Sequence, residues 1–301
     1  MLRLETIRFV SNFPLPILTG QQVDRHHVGR LITFHLWSCT LDLGIAGKTA
    51  LVFGAAGGLG GAIARALAAE GARIAVADIN ADAMSQTVAD IRAAGAEALP
   101  LQWDLSDLSI VESRIEAIRD AFGNIDILVN NTGGPPPTPA AGQSVDLWTK
   151  SFQSMVMSVI AITDQVLPGM RERKWGRVIT STSSGVVAPI AGLGISNALR
   201  MSLVGWSKTL AREVGRDGIT TNIVLPGRIA TPRITFLDEQ KAKREGRSVE
   251  EVSAESVASI PVGRYGNPRE YAAAVTFLAS QQAGYITGSV IRVDGGLIAS
   301  V

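Results

Sequence analysis

A glycine-rich segment, GAAGGLG over residues 54–60, lies between an apolar run and a helical pattern, which is the position of a phosphate-binding loop. Glycine permits a sharp turn and a close approach of the backbone to a pyrophosphate, because it has no Cβ. The following helix would add free N–H groups and the positive end of its dipole. We expect phosphate contacts from Gly54, Gly57, Gly58, Leu59 and Gly60. Gly60 or Gly61 would let the helix pack closely on the sheet, and tightness of the turn alone is the alternative explanation for the cluster.

A single carboxylate ends the second apolar run, at Asp78. A carboxylate at this place can accept hydrogen bonds from both ribose hydroxyls of an adenosine. It would also repel a 2′-phosphate, and the next two side chains, Ile79 and Asn80, supply no cation to hold one. The residues therefore predict NAD rather than NADP as the bound nucleotide. The alternative is that Asp78 only caps a helix at the end of a strand.

Short apolar runs and longer helical patterns alternate from Lys48 onward. The predicted strands are Ala50–Phe53, Arg73–Ala77, Ala98–Leu101, Ile125–Val129, Arg177–Thr180, Thr220–Val224 and Ser289–Val293. The predicted helices include Leu59–Glu70, Ala81–Ala94, Ser109–Phe122, Val145–Arg173 and Ala198–Arg216. Uninterrupted apolar runs are typical of strands buried on both faces. We therefore predict an α/β fold, a Rossmann-type doubly wound parallel sheet of about seven strands with helices on both faces.

The first 44 residues have no sustained helical or strand period, and they include Pro14, Pro16 and the pair His26–His27. We expect residues 1–44 to be an N-terminal extension and residues 45–301 to be a single domain. Two interpretations of the extension stay open. Translation could begin near Leu41, directly before the first strand, or the segment could be an arm that packs on the domain or on a partner.

Composition excludes several function classes. The net charge of +1 in 301 residues argues against a nucleic-acid surface. All three histidines and the single cysteine, Cys39, precede Thr40, so the main domain has no His or Cys for a metal site and no histidine base. Nor does any apolar run reach the roughly 18–20 residues of a membrane-spanning helix. We expect a cytoplasmic protein with no metal, no nucleic-acid partner and no membrane partner.

Five motifs in order resemble those of the short-chain dehydrogenase/reductase superfamily, across residues 46–301. They are Gly54, Gly58 and Gly60; Trp103-Asp104-Leu105; Asn130-Asn131-Thr132-Gly133; Pro226-Gly227 through Thr231; and Tyr285 through Gly288 followed by Val293-Asp294-Gly295-Gly296. The chain is most similar to a divergent 3-oxoacyl-carrier-protein reductase-like subgroup. The resemblance implies hydride transfer between nicotinamide and a small carbonyl or alcohol substrate, in a homodimer or homotetramer. It also implies cofactor contacts from Asp104, Leu105, Asn131, Gly133, Pro226, Gly227 and Thr231.

The same resemblance shows an unusual set of catalytic positions. The family uses a Tyr as acid or base, a Lys four residues later, a Ser and an Asn. Without a gap, Ser183 falls on the serine, Ser196 on the tyrosine, Arg200 on the lysine and Met155 on the asparagine. A serine hydroxyl is shorter than tyrosine and has a pKa far above the roughly 10 of tyrosine. Arg200 keeps the positive charge and could hydrogen-bond a ribose diol through its fork.

These substitutions leave more than one function open. The first is an NAD-dependent oxidoreductase in which Ser183 or Ser196 passes a proton from water. The second is a non-catalytic NAD(H)-binding sensor or pseudoenzyme, and the third is a structural protein without nucleotide. Tyr265 is a further candidate that could reach the cleft.

Two segments are expected on the substrate side. The stiff run Pro135–Pro137 would line the crevice at the carboxyl ends of the strands. The charged segment at about 231–261 occupies the position of the family's substrate lid and predicts a solvated pair of helices. Its candidates for an apolar inner face are Ile234, Phe236, Leu237 and Val249.

Overall fold

The computed structural model describes residues 41–301, in which strands and helices alternate as the sequence predicts. The strands are β1 Thr49–Phe53, β2 Arg73–Asp78, β3 Ala98–Gln102, β4 Ile127–Asn131, β5 Gly176–Ser181, β6 Ile219–Pro226 and β7 Val290–Val293. The helices are α1 Gly58–Ala69, α2 Ala81–Ala93, α3 Val111–Phe122, α4 Val145–Phe152, α5 Ser158–Glu172, α6 Gly194–Val214, α7 Pro232–Glu245, α8 Val249–Ala258 and α9 Pro268–Ala279. The expectation for residues 1–44 falls almost entirely outside the described part of the chain.

The seven strands form one parallel sheet in the order β3-β2-β1-β4-β5-β6-β7. This order confirms the predicted Rossmann-type fold. The chain runs outward from β1 through β3 and then returns to the other side of β1 with β4. Connections from neighbouring strands therefore diverge at the carboxyl ends of β1 and β4, which is where open α/β sheets bind ligands.

Two apolar layers cover the sheet. Residues of α1 and α9, such as Ile63 and Val275, pack on one face. Residues of α3, α5 and α6, such as Ile118, Val166 and Val214, pack on the other. Every residue of β1 and β5 is buried, and residues 50–53 of β1 form the unbroken apolar run from which that strand was predicted.

The long helix predicted over Val145–Arg173 contains a five-residue π-helical turn. This turn, Gln153–Met157, joins α4 to α5 and carries Met155, which is 2% exposed. A π-turn inserted in a helix locally changes which side chains face the core. Met155 therefore packs in an apolar cluster with α6 residues such as Ile195 and Leu199.

Helix α6 begins at Gly194, four residues before the predicted start at Ala198. The reason is a contact distant in sequence: the Gly194 N–H donates to the Thr138 carbonyl at 2.9 Å. A Cβ at position 194 would lie 2.5 Å from Ala140 Cα, so the approach requires glycine. The earlier start places Ser196 in the first turn of α6.

The segment at 231–261 folds as two helices, α7 and α8, as predicted. Ser248 and Glu251 form a reciprocal capping box that fixes the start of α8. The predicted inner face is half wrong: Ile234 and Leu237 line a cavity, whereas Phe236 and Val249 are 38% and 36% exposed. Residues 234 and 237 share a helix face at i,i+3 spacing, and residue 236 is rotated away from it.

No helix in residues 41–301 has the length and hydropathy that crossing a membrane requires.

Candidate nucleotide-binding and active site

A cavity of about 600 Å³ lies at the carboxyl ends of the central strands. Most of the predicted site residues line it: Gly54, Gly57, Gly58, Leu59, Asp78, Asn131, Gly133, Ser183, Ser196, Arg200, Pro226, Gly227 and Thr231. Gly60, Asp104 and Leu105 do not. The fold therefore brings together residues from six separate segments of the chain, although their roles toward a ligand remain predictions.

The glycine loop has the backbone conformation that its sequence requires. Gly54 and Gly58 have φ angles of +62° and +54°, a region that side-chain-bearing residues rarely adopt. A Cβ at Gly54 would lie 2.6 Å from Asn131 Nδ2, whereas the space beside Gly57 is open for 4 Å. The loop is thus held against β4 on one side and open on the other. This open side and the first turn of α1 fit a pyrophosphate.

Gly60 serves packing instead of lining the cavity. A Cβ at this position would lie 2.2 Å from the Gly54 carbonyl oxygen and 2.7 Å from that of Phe53. Because Gly60 has no Cβ, α1 can pack directly on the end of β1. The sequence predicted this packing for Gly60 or Gly61, and a Cβ at Gly61 would meet its nearest atom at the looser distance of 3.2 Å.

Asp78 is a partner of the glycine loop. Its Oδ2 accepts a hydrogen bond from the Ala56 N–H at 3.0 Å, and its Oδ1 accepts one from Asn80 N–H at 3.0 Å. Asn80 caps α2, since its side chain accepts from the Ala83 N–H. The helix-cap explanation for Asp78 is therefore wrong. Each carboxylate oxygen retains a further lone pair for a ribose hydroxyl.

Asp104 and Leu105 lie beside the cavity and not in its lining. Asp104 Oδ1 accepts from both the N–H and the hydroxyl of Ser106, at 2.8 Å each, and so closes a turn. Leu105 packs on the apolar cluster that contains Trp103. Their predicted contact with the cofactor stays a prediction.

Arg200 is 8% exposed and lies one helical turn after Ser196, on the same face of α6. Its Nε donates to Ser196 Oγ at 3.4 Å, and its Nη1 donates to the Ser181 carbonyl at 3.3 Å. Its Nη2 donates to the carbonyls of Thr132 and Gly133 at 3.1 and 2.8 Å. Four of the five guanidinium N–H donors are thus engaged. Arg200 ties the ends of β4 and β5 to α6.

Burial lowers the pKa of Arg200 to about 10, with a smaller contribution from the positive charge of Arg233. The guanidinium therefore still carries its charge at neutral pH. Because Ser196 accepts from Arg200, the Ser196 hydroxyl keeps its own proton to donate. A neighbouring positive charge also favours any negative charge that develops on this oxygen. Ser183 Oγ accepts from the Gly185 N–H at 3.0 Å, which fixes its orientation at the end of β5.

None of the three tyrosines lines the cavity in the described part of the chain. Tyr265, which the sequence offered as a candidate, donates to Asp238 Oδ2 at 2.6 Å and is drawn away by this buried carboxylate. Tyr285 is fully exposed. Tyr271 lies beneath the cavity floor, with its hydroxyl 2.8 Å from Ser181 Oγ, and burial raises the pKa of this phenol well above its usual value.

Two features of the site were missed by the sequence reasoning. Ser181 lines the cavity above Tyr271, and Arg233 lines it from the first turn of α7. Arg233 Nη2 donates to the Pro135 carbonyl at 3.2 Å, across 98 positions of sequence. An arginine in the first turn of a helix opposes the helix dipole, and this is the one signal that could have drawn attention to it.

The fold and the cavity define a class: a dinucleotide-binding α/β protein with hydroxyl and guanidinium groups at the inner end of its cleft. A family model described as enoyl-(acyl carrier protein) reductase matches residues 54–298. The 3-oxoacyl-[acyl-carrier-protein] reductase of Salmonella typhimurium is 37% identical over 254 residues, which cover 83% of this chain and 97% of the relative. The chain belongs to the short-chain dehydrogenase/reductase family of oxidoreductases, in the branch of the 3-oxoacyl-carrier-protein reductases.

Solved structures agree with this assignment. L-sorbose reductase from Gluconobacter frateurii, complexed with NADPH and L-sorbose, superposes with a TM-score of 0.82 at 31% identity, covering 87% of this chain and 100% of the other. An NAD⁺-bound xylitol dehydrogenase superposes with a TM-score of 0.79 at 25% identity, covering 84% and 99%. The two neighbours carry different nicotinamide nucleotides, so similarity alone does not select between them.

Proposed function

We propose that this protein is an NAD-dependent oxidoreductase that interconverts a small carbonyl compound and its alcohol. The observation that carries the proposal is the single cavity, which joins the glycine loop and Asp78 at one end to Ser183, Ser196 and Arg200 at the other. One end fits a dinucleotide, and the other offers hydroxyl donors beside a fixed positive charge.

A nicotinamide cofactor fits the residues present. The open side of the Gly57–Gly58 turn would hold the pyrophosphate, Asp78 the adenosine ribose, and Asn131, Gly133, Pro226, Gly227 and Thr231 the nicotinamide half. When bound, this cofactor supplies or accepts the hydride. The chain's own residues bind it and position the substrate oxygen.

NAD is favoured over NADP by the charge at Asp78. Both carboxylate oxygens are oriented by backbone N–H groups, and no Lys or Arg of residues 41–301 forms an ion pair with it. A 2′-phosphate placed beside this carboxylate would meet like charge. The relatives do not decide this preference, so it rests on the local electrostatics.

Proton transfer in this site works without a tyrosine. Ser183 and Ser196 donate hydrogen bonds to the substrate oxygen, and Arg200 stabilises negative charge on Ser196 Oγ, from which it is 3.4 Å away. The proton comes from water through these hydroxyls. General acid–base catalysis contributes about 10²- to 10⁴-fold, so we expect turnover below that of a site with Tyr and Lys.

A non-catalytic NAD(H)-binding protein is the second candidate. The observation that favours it is the engagement of Arg200, whose N–H groups are mostly occupied by backbone carbonyls. In this candidate Arg200 maintains the fold of the cleft and takes no part in chemistry.

The experiment that separates the two candidates is NADH consumption by purified full-length protein against a panel of aldehydes, ketones and 3-oxo esters. We expect turnover that falls at least about tenfold in Ser183→Ala and is retained in the control Ser202→Ala, on the outer part of α6. Binding of NADH without turnover on any carbonyl would favour the second candidate.

The predicted homo-oligomer is tested separately, by sedimentation at low protein concentration, where a monomer alone would contradict it. The cytoplasmic location remains a prediction.

A further inference from the structure

Five cationic side chains of residues 41–301 line the cavity, and three of them are paired with carboxylates. Arg228 pairs with Asp238, Lys241 with Glu255 at 3.4 Å, and Arg244 with Glu245 at 3.3 Å. The other two are Arg200 and Arg233. Within residues 41–301, neither has a carboxylate within 4 Å. Among the described residues, the only carboxylate in the lining is Asp78, in the part of the cavity assigned to adenosine.

The two unpaired guanidinium groups face the same small space. A Cβ at Gly134 would lie 3.3 Å from Arg233 Nη2 and 3.7 Å from Arg200 Nη2. The Pro135 carbonyl accepts from Arg233 at 3.2 Å and fixes the direction of that side chain. Two like charges therefore converge on the glycine that precedes the stiff proline run, and they repel each other.

The surroundings of Arg233 add to the positive potential. Arg233 is the second residue of α7, so its charge and the positive end of a 14-residue helix lie together at the cavity wall. Partial desolvation lowers the pKa of Arg233, although the residue is exposed to solvent. An anion bound between the two guanidinium groups would be attracted by both positive charges and by the positive end of the helix dipole.

We propose that Arg233, reinforced by the fixed charge of Arg200, forms an oxyanion-binding subsite, and that the substrate is a carbonyl compound carrying a free carboxylate or phosphate group. The substrate part of this statement rests on the proposed oxidoreductase function. Arg200 connects the subsite to the chemistry, because its Nε also donates to Ser196 Oγ. Within residues 41–301, four of the five N–H donors of Arg233 have no acceptor, enough for a bidentate pair with an acid group.

The phosphates of the cofactor are a second anionic group that could occupy this subsite. Thr231, two residues before Arg233, lies over the glycine loop, with its Cγ2 3.8 Å from the Cβ position of Gly58. Arg233 itself contacts Gly134 and Pro135, which lie outside that loop. The geometry therefore favours a substrate anion, and saturation with NADH distinguishes the two sources.

The test is calorimetric titration of the full chain with oxalate and with inorganic phosphate, at constant ionic strength, with and without saturating NADH. We expect oxalate binding in the presence of NADH, weakened at least about tenfold in Arg233→Gln and partly recovered in Arg233→Lys. The control Lys243→Gln makes the same charge change on the exposed side of α7 and should alter binding less than about twofold.

Three results would overturn the proposal. The first is no binding of either anion, and the second is equal weakening of oxalate binding in Arg233→Gln and Lys243→Gln. The third is binding that disappears when NADH saturates the protein, which would assign Arg233 and Arg200 to the cofactor's phosphates. A kinetic arm compares NADH consumption with acetoacetate and with its methyl ester. Arg233→Gln should lower kcat/KM for the acid at least about tenfold and leave the ester nearly unchanged. If no carbonyl is consumed but oxalate binding still depends on Arg233, the oxidoreductase function fails and the anion subsite stands.

Discussion

Replacing Asp78 with asparagine should change which nucleotide the protein binds. Asparagine keeps the shape and can still accept the Ala56 N–H bond, which is 3.0 Å long in the wild type. It loses the negative charge that strengthens hydrogen bonds to ribose and repels a 2′-phosphate. The perturbation is therefore mainly electrostatic.

The expected magnitude follows from the two oxygens of Asp78. Hydrogen bonds to a charged group contribute about 1.5–3 kcal/mol, and one ribose contact of this kind corresponds to about 10- to 150-fold in Kd. NADH affinity of Asp78→Asn should fall within this range. NADPH affinity should rise, because the like-charge repulsion is removed.

Calorimetric titration of wild type and variant with NADH and NADPH measures both effects. Asp82→Asn is the matched control. Asp82 is exposed in the first turn of α2, so this substitution removes the same charge at a position outside the cavity lining. The reasoning is refuted if the wild type prefers NADPH, or if Asp78→Asn and Asp82→Asn change the NADH/NADPH ratio equally.

Three further predictions follow from other parts of the structure. Rebuilding the family's pair as Ser196→Tyr with Arg200→Lys should raise NADH-dependent turnover, by up to about 10²- to 10⁴-fold, and an unchanged rate would show that the proton path does not pass through α6. Gly60→Ala should lower the Tm by about 2–10 °C, because its Cβ would meet a backbone oxygen at 2.2 Å, whereas Gly205→Ala, with open space beside it, should not lower it. Arg264 and the Asn267 N–H lower the pKa of Glu270 to about 2 from 4.5, so its stabilising effect is present above pH 4.5 and is lost as the pH falls toward 2. The Tm of the wild type should therefore fall more than the Tm of Glu270→Gln between pH 4.5 and 2, and parallel plots of Tm against pH would contradict this.

The sheet could be predicted from sequence because the burial of a strand is visible in its own consecutive residues. A strand buried on both faces is mostly apolar, and the first six strands coincide with or lie next to such runs, whereas β7 is only partly buried and contains Arg292. The start of α6 could not be predicted, because Gly194 is fixed by the carbonyl of Thr138, 56 positions away. Helix signals describe neighbouring residues and contain no information on such contacts.

The site was predicted in part, and the reason is similar. Residues carried by ordered motifs, such as Gly54 and Pro226, lie in the cavity lining as expected. The hydrogen bonds of Arg200 to Thr132 and Gly133 span 68 and 67 positions, and the contact of Arg233 with Pro135 spans 98. Which charges pair and which stay unpaired is decided by the tertiary fold, so the convergence of Arg200 and Arg233 could not be inferred from sequence.

The most direct test of the central claim is the transfer of labelled hydride. The protein is incubated with NADH deuterated at both C4 positions and with the best carbonyl of the panel, and the product is analysed by mass spectrometry. The account predicts an alcohol with deuterium on the carbinol carbon, absent when the protein is omitted. Bound NADH with no labelled alcohol would contradict it and would leave a protein that binds the nucleotide without using it.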